Sequence, residues 1–116
     1  MTLQTTVTES DGSVTVSFTG ELDISRAEEV ERELERVEAK NPSVIVFDLR
    51  SLDFLDSTGL RLLLSADSRA RREGRRVAIV PGPENVHRVF RITLLDRRLE
   101  FVQSPEAAGD SGAPNT

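Results

Sequence analysis

The chain has 116 residues and a formal net charge of −5, with no cysteine, tryptophan or tyrosine and a single histidine. This length suits one domain, the absence of cysteine excludes disulfides and thiolate metal sites, and the acidic balance argues against nucleic acid, which requires a basic face. The apolar stretches reach about half of the ~20 residues of a membrane span, and the N-terminus lacks a signal-peptide pattern, so we expect a cytoplasmic protein without a membrane span.

The first two predicted elements form an antiparallel hairpin. Residues 3–7 alternate weakly between apolar and polar side chains, and residues 14–20 alternate clearly, with their apolar residues on one face. Asp11-Gly12 lies between the two segments, and this dipeptide is a strong signal for a tight hairpin turn.

A helix is predicted after the hairpin. Ser25 followed by Glu28 has the spacing of a capping box, which predicts the start of the helix. Apolar residues then recur at helical spacing on an otherwise charged segment, at Ala27, Val30, Leu34 and Val37. Asn41-Pro42 ends this helix.

The second half of the chain alternates strands with helices. The predicted strands are the apolar segments 43–49, 76–80 and 99–102. The predicted helices run from Leu60 to Glu73, where Gly74 is the stop, and through the apolar residues of 86–90. From Ser104 onward small and polar residues dominate, so we expect a domain over 1–103 and a disordered tail over 104–116.

The element order β-β-α-β-α-β-α-β predicts an α/β fold in which helices pack on a mixed sheet. Strands separated by helices favour parallel pairing with right-handed crossovers. Loops that leave the carboxyl ends of parallel strands lie at one edge of the sheet, where binding sites collect. Three predicted loops have this position, at residues 20–25, 50–58 and 81–84.

A short polar segment, Asp56-Ser57-Thr58-Gly59, stands in the second loop between apolar residues and directly before a predicted helix. The first turn of a helix has unpaired N–H groups and the positive end of the helix dipole, so it stabilises an anion. The fold would therefore tolerate a phosphate on Ser57, and Gly59 leaves the approach to this turn unobstructed. The simpler interpretation is that one of these polar residues only caps the helix, and spacing alone favours it.

Three segments resemble a known family: FTGELDISRAEEVERELE, VIVFDLRSLDFLDSTGLRLLL and LEFV. They resemble a STAS domain of the bacterial anti-sigma-factor antagonist type, over about residues 3–103. The motifs that carry the resemblance are GELD, a hydrophobic strand that ends in DL, and F-x-D-S-[ST]-G at the start of a helix.

The resemblance implies a regulator rather than an enzyme, with no cofactor and no metal. In that family the unmodified antagonist binds an anti-sigma factor that is also a serine kinase with a GHKL-type ATPase fold, and thereby frees a sigma factor. The kinase phosphorylates the serine after the motif aspartate, here Ser57, which breaks the complex, and a PP2C-like phosphatase restores it. The implied partner-binding surface comprises Glu21, Leu22, Asp23, Ser25, Phe54, Asp56, Thr58, Gly59, Leu60 and Arg61.

The C-terminal segment departs from the family. STAS domains of this type add a closing helix after the last strand, and SPEAAGDSGAPNT begins like that helix before it turns to Gly, Pro and Asp. We expect the closing helix to be a turn or two long or absent.

Two other classes of protein are weaker alternatives. An enzyme with Ser57 as nucleophile lacks the Gly-x-Ser-x-Gly pattern, and its only histidine base would be His87, which we expect on a helix surface without a metal role. A receiver-like domain phosphorylated on Asp48 would need an acidic pair after its first strand and a lysine near its last one, and the chain has neither. Within the STAS family, a subunit of a stressosome-like or transporter-associated complex is the main alternative.

Overall fold

The computed structural model describes residues 2–111. Its strands are β1 (Leu3–Ser10), β2 (Ser13–Leu22), β3 (Val44–Leu55), β4 (Arg76–Val80) and β5 (Glu100–Phe101). Its helices are α1 (Ala27–Glu38), α2 (Ser57–Arg72), α3 (Glu84–Ile92) and α4 (Pro105–Ser111), with 3₁₀ turns at Ile24–Arg26 and Leu95–Arg97. Within residues 2–111, every helix is too short or too polar to cross a membrane.

The five strands form one mixed sheet in the order β1-β2-β3-β4-β5. β1 and β2 are antiparallel and all other neighbours are parallel, as the element order predicts. The hairpin turn has positive φ at both Asp11 (50°) and Gly12 (83°), which is the geometry of the tight turn that Asp-Gly favours. The predicted α/β fold with a mixed sheet is confirmed.

The main core lies between one face of the sheet and helices α1 to α3, the side on which right-handed crossovers place them. Phe18 of β2 and Phe47 of β3 stack there with 6.2 Å between ring centroids. Leu34 of α1, Leu63 of α2 and Phe90 of α3 are buried against them. A second, smaller cluster lies on the opposite face of the sheet, where Val44, Val46, Ala78, Val80 and Ala108 are buried together.

The C-terminal segment corrects the expectation of a disordered tail that begins at residue 104. Residues 105–111 form α4, and Ala108 is fully buried in the second cluster. Arg76 of β4 donates from Nη1 to the Ala108 carbonyl oxygen at 3.3 Å, so the sheet holds this helix by a polar contact as well. The remainder of the predicted tail, residues 112–116, lies outside the described residues.

β3 is longer than predicted and replaces most of the expected loop at 50–58. Its 12 residues continue to Leu55, and its second half pairs with the end of β2 through shifts in register after Ser17 and Gly20. Leu52 and Leu55 are buried in the main core, which holds this segment extended although polar residues separate them. A single residue, Asp56, therefore separates β3 from α2.

His87 is half-buried, where the sequence predicted a helix surface. Its ring meets Phe101 of β5 edge-on, with 5.0 Å between ring centroids, and lies 6.0 Å from the ring of Phe90. These aromatic contacts account for the partial burial of His87.

Candidate functional site

Asp56 joins the two loops that the sequence places at the same edge of the sheet. Its Oδ1 accepts a hydrogen bond from the Gly59 N–H at 2.8 Å, and its Oδ2 accepts one from the Ile24 N–H at 3.1 Å. The Asp56 N–H donates in turn to the Leu22 carbonyl at 3.3 Å. One carboxylate thus caps α2 and holds the end of β2 against its first turn.

Asp23 organises the other loop. Its Oδ1 accepts from the Ser25 N–H at 3.0 Å and from the Ser25 hydroxyl at 2.6 Å, so Asp23 caps the 3₁₀ turn that leads into α1. This corrects the predicted capping box at Ser25. The extra turn places the start of α1 at Ala27, and Arg26 before it makes no side-chain cap.

Ser57 is the first residue of α2 and is exposed. Within residues 2–111 its hydroxyl has no hydrogen-bond partner, because Asp56 already provides the cap. The interpretation of Ser57 as the helix cap is therefore not needed to explain the fold. Its Oγ stands free at the positive end of a 16-residue helix.

Gly59 is buried, which corrects the idea that it keeps the helix start open to a partner. A Cβ at this position would lie 2.7 Å from Leu55 Cδ1 and 2.8 Å from the Leu22 carbonyl oxygen. Both distances are below any normal contact, so only glycine lets the first turn of α2 pack this closely on the ends of β2 and β3. Gly59 sets the position of Ser57 rather than access to it.

The residues of the predicted partner surface all lie at or next to this edge, but they differ in exposure. Three classes result. The exposed residues are Ser25, Phe54, Ser57 and Arg61; the half-buried ones are Glu21, Asp23, Asp56 and Thr58; the buried ones are Leu22, Gly59 and Leu60. The buried members pack within the edge and offer a partner little side-chain surface.

Ile24 also belongs to this edge, although the sequence motifs did not predict it as part of the partner surface. Its side chain is 71% exposed, beside the carboxylate of Asp56 that accepts its N–H, and Phe54 on β3 is 46% exposed. An isolated apolar residue between Asp23 and Ser25, off the helical stripe of α1, was the available signal. Two large apolar side chains thus flank a charged, serine-bearing edge.

The third predicted loop, at residues 81–84, also reaches this edge. Asn85 in the first turn of α3 donates from Nδ2 to the Asp53 carbonyl at 2.9 Å, which ties α3 to the end of β3. Gly82 packs where a Cβ would lie 2.6 Å from the Leu49 carbonyl. The middle loop is therefore tied to each of the other two, to the first through Asp56 and to the third through the Asn85 side chain.

The carboxylate of Asp48, which the receiver-like alternative would phosphorylate, already forms an ion pair with Arg50. Arg50 binds its carboxylate with two side-chain hydrogen bonds of 3.0 and 2.9 Å and a third from its backbone N–H. Burial acts to raise the pKa of this carboxyl, but the contacts with Arg50 outweigh it and hold the pKa below its ordinary value. The ion pair gives Asp48 a structural role on the sheet face.

The other chemistry considered for Ser57 finds no support at this edge. In the part of the chain that the structure describes, no base contacts the Ser57 hydroxyl, and His87 packs with aromatic rings instead. No group of three or more acidic or histidine side chains among residues 2–111 is arranged to hold a metal ion.

Comparison with known proteins agrees with this architecture. The sequence model of the STAS domain family matches residues 4–108. The curated anti-sigma-F factor antagonist RsfB of Mycobacterium tuberculosis is 34% identical over 64 residues, which span 55% of this chain and 52% of that protein. The match therefore covers about half the length of that relative.

Two solved structures share the whole fold. An anti-sigma factor antagonist from Mycobacterium paratuberculosis is 28% identical, with a TM-score of 0.80 over 89% of this chain and 87% of that one. The anti-sigma factor antagonist SpoIIAA in its unphosphorylated form is 21% identical, with a TM-score of 0.81 over 97% of this chain and 100% of that one. The resemblance drawn from the GELD and DSTG motifs is thus confirmed.

Proposed function

The chain belongs to the STAS domain family, and we propose that it is an anti-sigma-factor antagonist switched by phosphorylation of Ser57. In this proposal the unmodified edge around Ser57 binds an anti-sigma factor, and the phosphorylated edge does not. Binding to an anti-sigma factor is supported by the relatives that are anti-sigma factor antagonists. The switch by phosphorylation is supported by the helix cap that Asp56 provides, which leaves the Ser57 hydroxyl exposed and unbonded.

Binding would use the apolar side chains that flank the serine. Ile24 and Phe54 are two of only four large hydrophobic side chains that are exposed among the described residues. Their burial against a partner supplies a driving force, since it removes apolar area from water. The Asp56 clamp presents them as parts of one surface, so little ordering cost opposes binding.

The free protein would accept a phosphate on Ser57 without rearrangement. The hydroxyl points from the first turn of α2, where backbone N–H groups and the helix dipole stabilise negative charge. Arg61 lies one turn further along and is exposed, at the i+4 spacing that brings side chains together. The guanidinium can therefore pair with the phosphate.

Phosphorylation would release the anti-sigma factor because it adds negative charge to the binding surface. Glu21, Asp23, Asp53 and Asp56 already make this edge acidic, and a phosphate adds close to two further negative charges. Docking then brings those charges into a surface that must lose water, where like or unpaired charges cost several kcal/mol. The helix end stabilises the phosphate in the free form, which favours the dissociated state further.

Among residues 2–111 no base contacts the Ser57 hydroxyl and no cluster could hold a metal ion, so separate enzymes are proposed to add and remove the phosphate. A kinase and a phosphatase must therefore act on it, and the family resemblance favours a GHKL-type serine kinase that is also the anti-sigma factor and a PP2C-like phosphatase. Phosphorylation should fall on Ser57 rather than Thr58, because Thr58 is half-buried and its Oγ1 lies 3.5 Å from Arg61 Nη2. These partners would place the protein in the cytoplasm.

Calorimetric titration of the anti-sigma factor tests the proposal. Unmodified protein and Ser57→Ala should bind alike, Ser57→Asp more weakly, and the phosphorylated protein at least about a hundredfold more weakly, equivalent to ~3 kcal/mol. Ser51→Asp is the matched control, because it adds the same charge at another exposed serine. Equal affinity of the phosphorylated and unmodified proteins would refute the switch.

A further inference from the structure

The two lateral edges of the sheet, which are formed by its outermost strands β1 and β5, differ in length. β5 closes one edge with only two residues, Glu100 and Phe101. β1 forms the other edge with eight residues, and β2 pairs with it along its whole length. A strand of this length at an edge presents a row of unpaired backbone groups, which is a template for another strand.

The outward groups of β1 can be assigned from its pairing. The Glu21 N–H donates to the Thr2 carbonyl oxygen at 3.1 Å, and the two-residue turn closes on the Ser10–Ser13 pair. Hydrogen-bonded and non-bonded pairs alternate along an antiparallel ladder. The even-numbered residues therefore bond to β2, and the odd-numbered ones, Leu3, Thr5, Val7 and Glu9, direct N–H and C=O groups away from the sheet.

In the part of the chain that the structure describes, this edge lacks the features by which monomeric proteins prevent edge-to-edge pairing. Residues 3–8 (LQTTVT) contain no charge, no proline and no glycine, and their pairing with β2 has no bulge. Charged side chains occur only at the far end, where Glu9 pairs with Lys40. Four of the six residues are β-branched, the type that suits a paired strand.

We propose that β1 pairs with β1 of a second copy of this chain, antiparallel about a two-fold axis at Thr6. In this register Thr6 faces Thr6, Thr5 faces Val7, and Gln4 faces Thr8. No like charges meet, facing threonines can share a hydrogen bond, and Thr5 and Val7 are β-branched residues that favour strands. Val7 is only half-buried beside the main core, and the facing Thr5 covers it.

A second copy fits this edge better than an extended peptide of another protein. Strand addition by a peptide gains specificity from pockets for alternate side chains. The side chains of β1 beside this edge are short, at Thr5, Thr6, Val7 and Thr8, so they build no deep pocket themselves. The same segment is complementary to itself in the register above, and an isologous contact of this kind closes at two subunits.

The arrangement has a defined geometry. It joins two five-stranded sheets into one continuous sheet. The β2 strands of the two copies then run in opposite directions, so the two Ser57 edges lie at opposite ends of the dimer. Dimerisation depends only on backbone pairing at β1 and does not rest on the switch proposed for Ser57.

Sedimentation equilibrium over a range of protein concentrations tests the dimer. Unmodified protein should show a concentration-dependent monomer–dimer equilibrium, and Thr6→Lys should be at least about tenfold weaker, since two lysines face each other on the axis. Thr19→Lys is the matched control, because it places the same change on the same face of the sheet, one strand inward at an exposed position. A 1:1 mixture of Thr6→Lys with Thr6→Glu should restore a dimer that weakens with salt.

A backbone variant tests the strand pairing itself. Thr5→Pro removes an outward N–H and leaves the bonds between β1 and β2, so urea unfolding should show a folded protein that stays monomeric. A native protein that is monomeric up to about 1 mM would overturn the proposal. Dimers of Thr6→Lys and Thr5→Pro as stable as the native one would overturn it as well, because the contact would then lie elsewhere.

Discussion

The Ile24 N–H donates to Asp56 Oδ2 at 3.1 Å, across 32 residues of sequence. This bond makes the GELD segment and the serine-bearing helix one rigid edge, while the other oxygen of the same carboxylate caps α2. A replacement that keeps one function and removes the other can therefore separate them.

Asp56→Asn should keep the cap and lose the bond to Ile24, because asparagine has a single acceptor oxygen. We expect a loss of about 1 kcal/mol in the free energy of unfolding, and about 2 kcal/mol for Asp56→Ala, which loses both bonds. Amide hydrogen exchange distinguishes the variants. The Ile24 amide should exchange faster in both, and the Gly59 amide only in the alanine variant. Protection of Ile24 in Asp56→Asn would contradict this division of roles.

Gly59→Ala should destabilise the protein although alanine is the better helix former. The added methyl would meet Leu55 Cδ1 at 2.7 Å and the Leu22 carbonyl at 2.8 Å. We expect a loss of about 1–3 kcal/mol by urea unfolding, typical of overpacking. Ser68→Ala on the same helix serves as a control and should be near neutral. A gain in stability for Gly59→Ala would show that helix propensity outweighs the close packing.

The second pKa of a phosphate on Ser57 should lie below its ordinary value of about 6. The helix N-terminus and Arg61 both favour the dianion, and Arg61 stands at the i+4 position of the same helix. ³¹P NMR titration of the phosphorylated protein measures this pKa, and Arg61→Ala should raise it. Arg72→Ala, at the exposed far end of α2, should leave it unchanged. An equal effect of both variants would point to net charge rather than a local contact.

The location of the edge could be predicted from the sequence, but its construction could not. Strand-helix alternation and the polar residues after β2 and β3 were enough to bring Asp23 and Ser57 to one side of the sheet. The serine, aspartate and arginine of residues 50–53 resemble a loop locally. They form strand because Leu52 and Leu55 are buried in the core and β2 supplies partners. That pairing depends on contacts more than 30 residues away, which local patterns do not carry.

The short closing helix has the length expected, about two turns, but the disordered tail predicted from residue 104 was wrong over residues 105–111, again because of a long-range contact. The composition after Ser104 is that of a disordered segment, and a single small residue, Ala108, decides the outcome. Its burial depends on a shallow patch of valines and alanine on the second face of the sheet. The sequence contains those residues, but it does not show that α1 to α3 all pack on the opposite face and leave this one for α4.

Leu94→Gly should leave the free energy of unfolding unchanged or raise it by up to about 1 kcal/mol. Leu94, two residues after the end of α3, has φ 63°, a conformation that strains any residue with a Cβ, and it is 59% exposed. Ile92→Gly is the control at the last residue of α3, which is comparably exposed and has helical backbone, and should lower the free energy of unfolding by up to about 1 kcal/mol. Equal losses for both variants would show that the Leu94 side chain contributes more than its strain costs.

Asp48→Asn should lower stability at neutral pH and have no effect in acid. Arg50 holds the pKa of Asp48 below its ordinary value in the folded protein. The stabilisation is therefore complete above the unfolded pKa of about 3.9 and disappears as the pH falls through the lower folded value. We expect about 1–2 kcal/mol at pH 7 from urea unfolding, which shrinks as the pH falls below about 4. A difference that stayed constant with pH would show that the ion pair contributes no charge-dependent stability.

The junction of β3 and α2, where Asp56 is the single residue between strand and helix, also limits what kind of enzyme can act on Ser57. Because no flexible loop joins β3 to α2, the residues around Ser57 cannot adopt an extended conformation in an active-site cleft without unfolding the start of the helix. An enzyme that modifies it has to accept a helix start already in place and to read neighbours, such as Ile24, that are distant in sequence. A free peptide of residues 50–64 lacks those neighbours and is too short to hold its helix in water. In the proposed switch the kinase therefore recognises a folded surface, and unfolding the domain should abolish phosphorylation of Ser57 even though the local sequence remains intact.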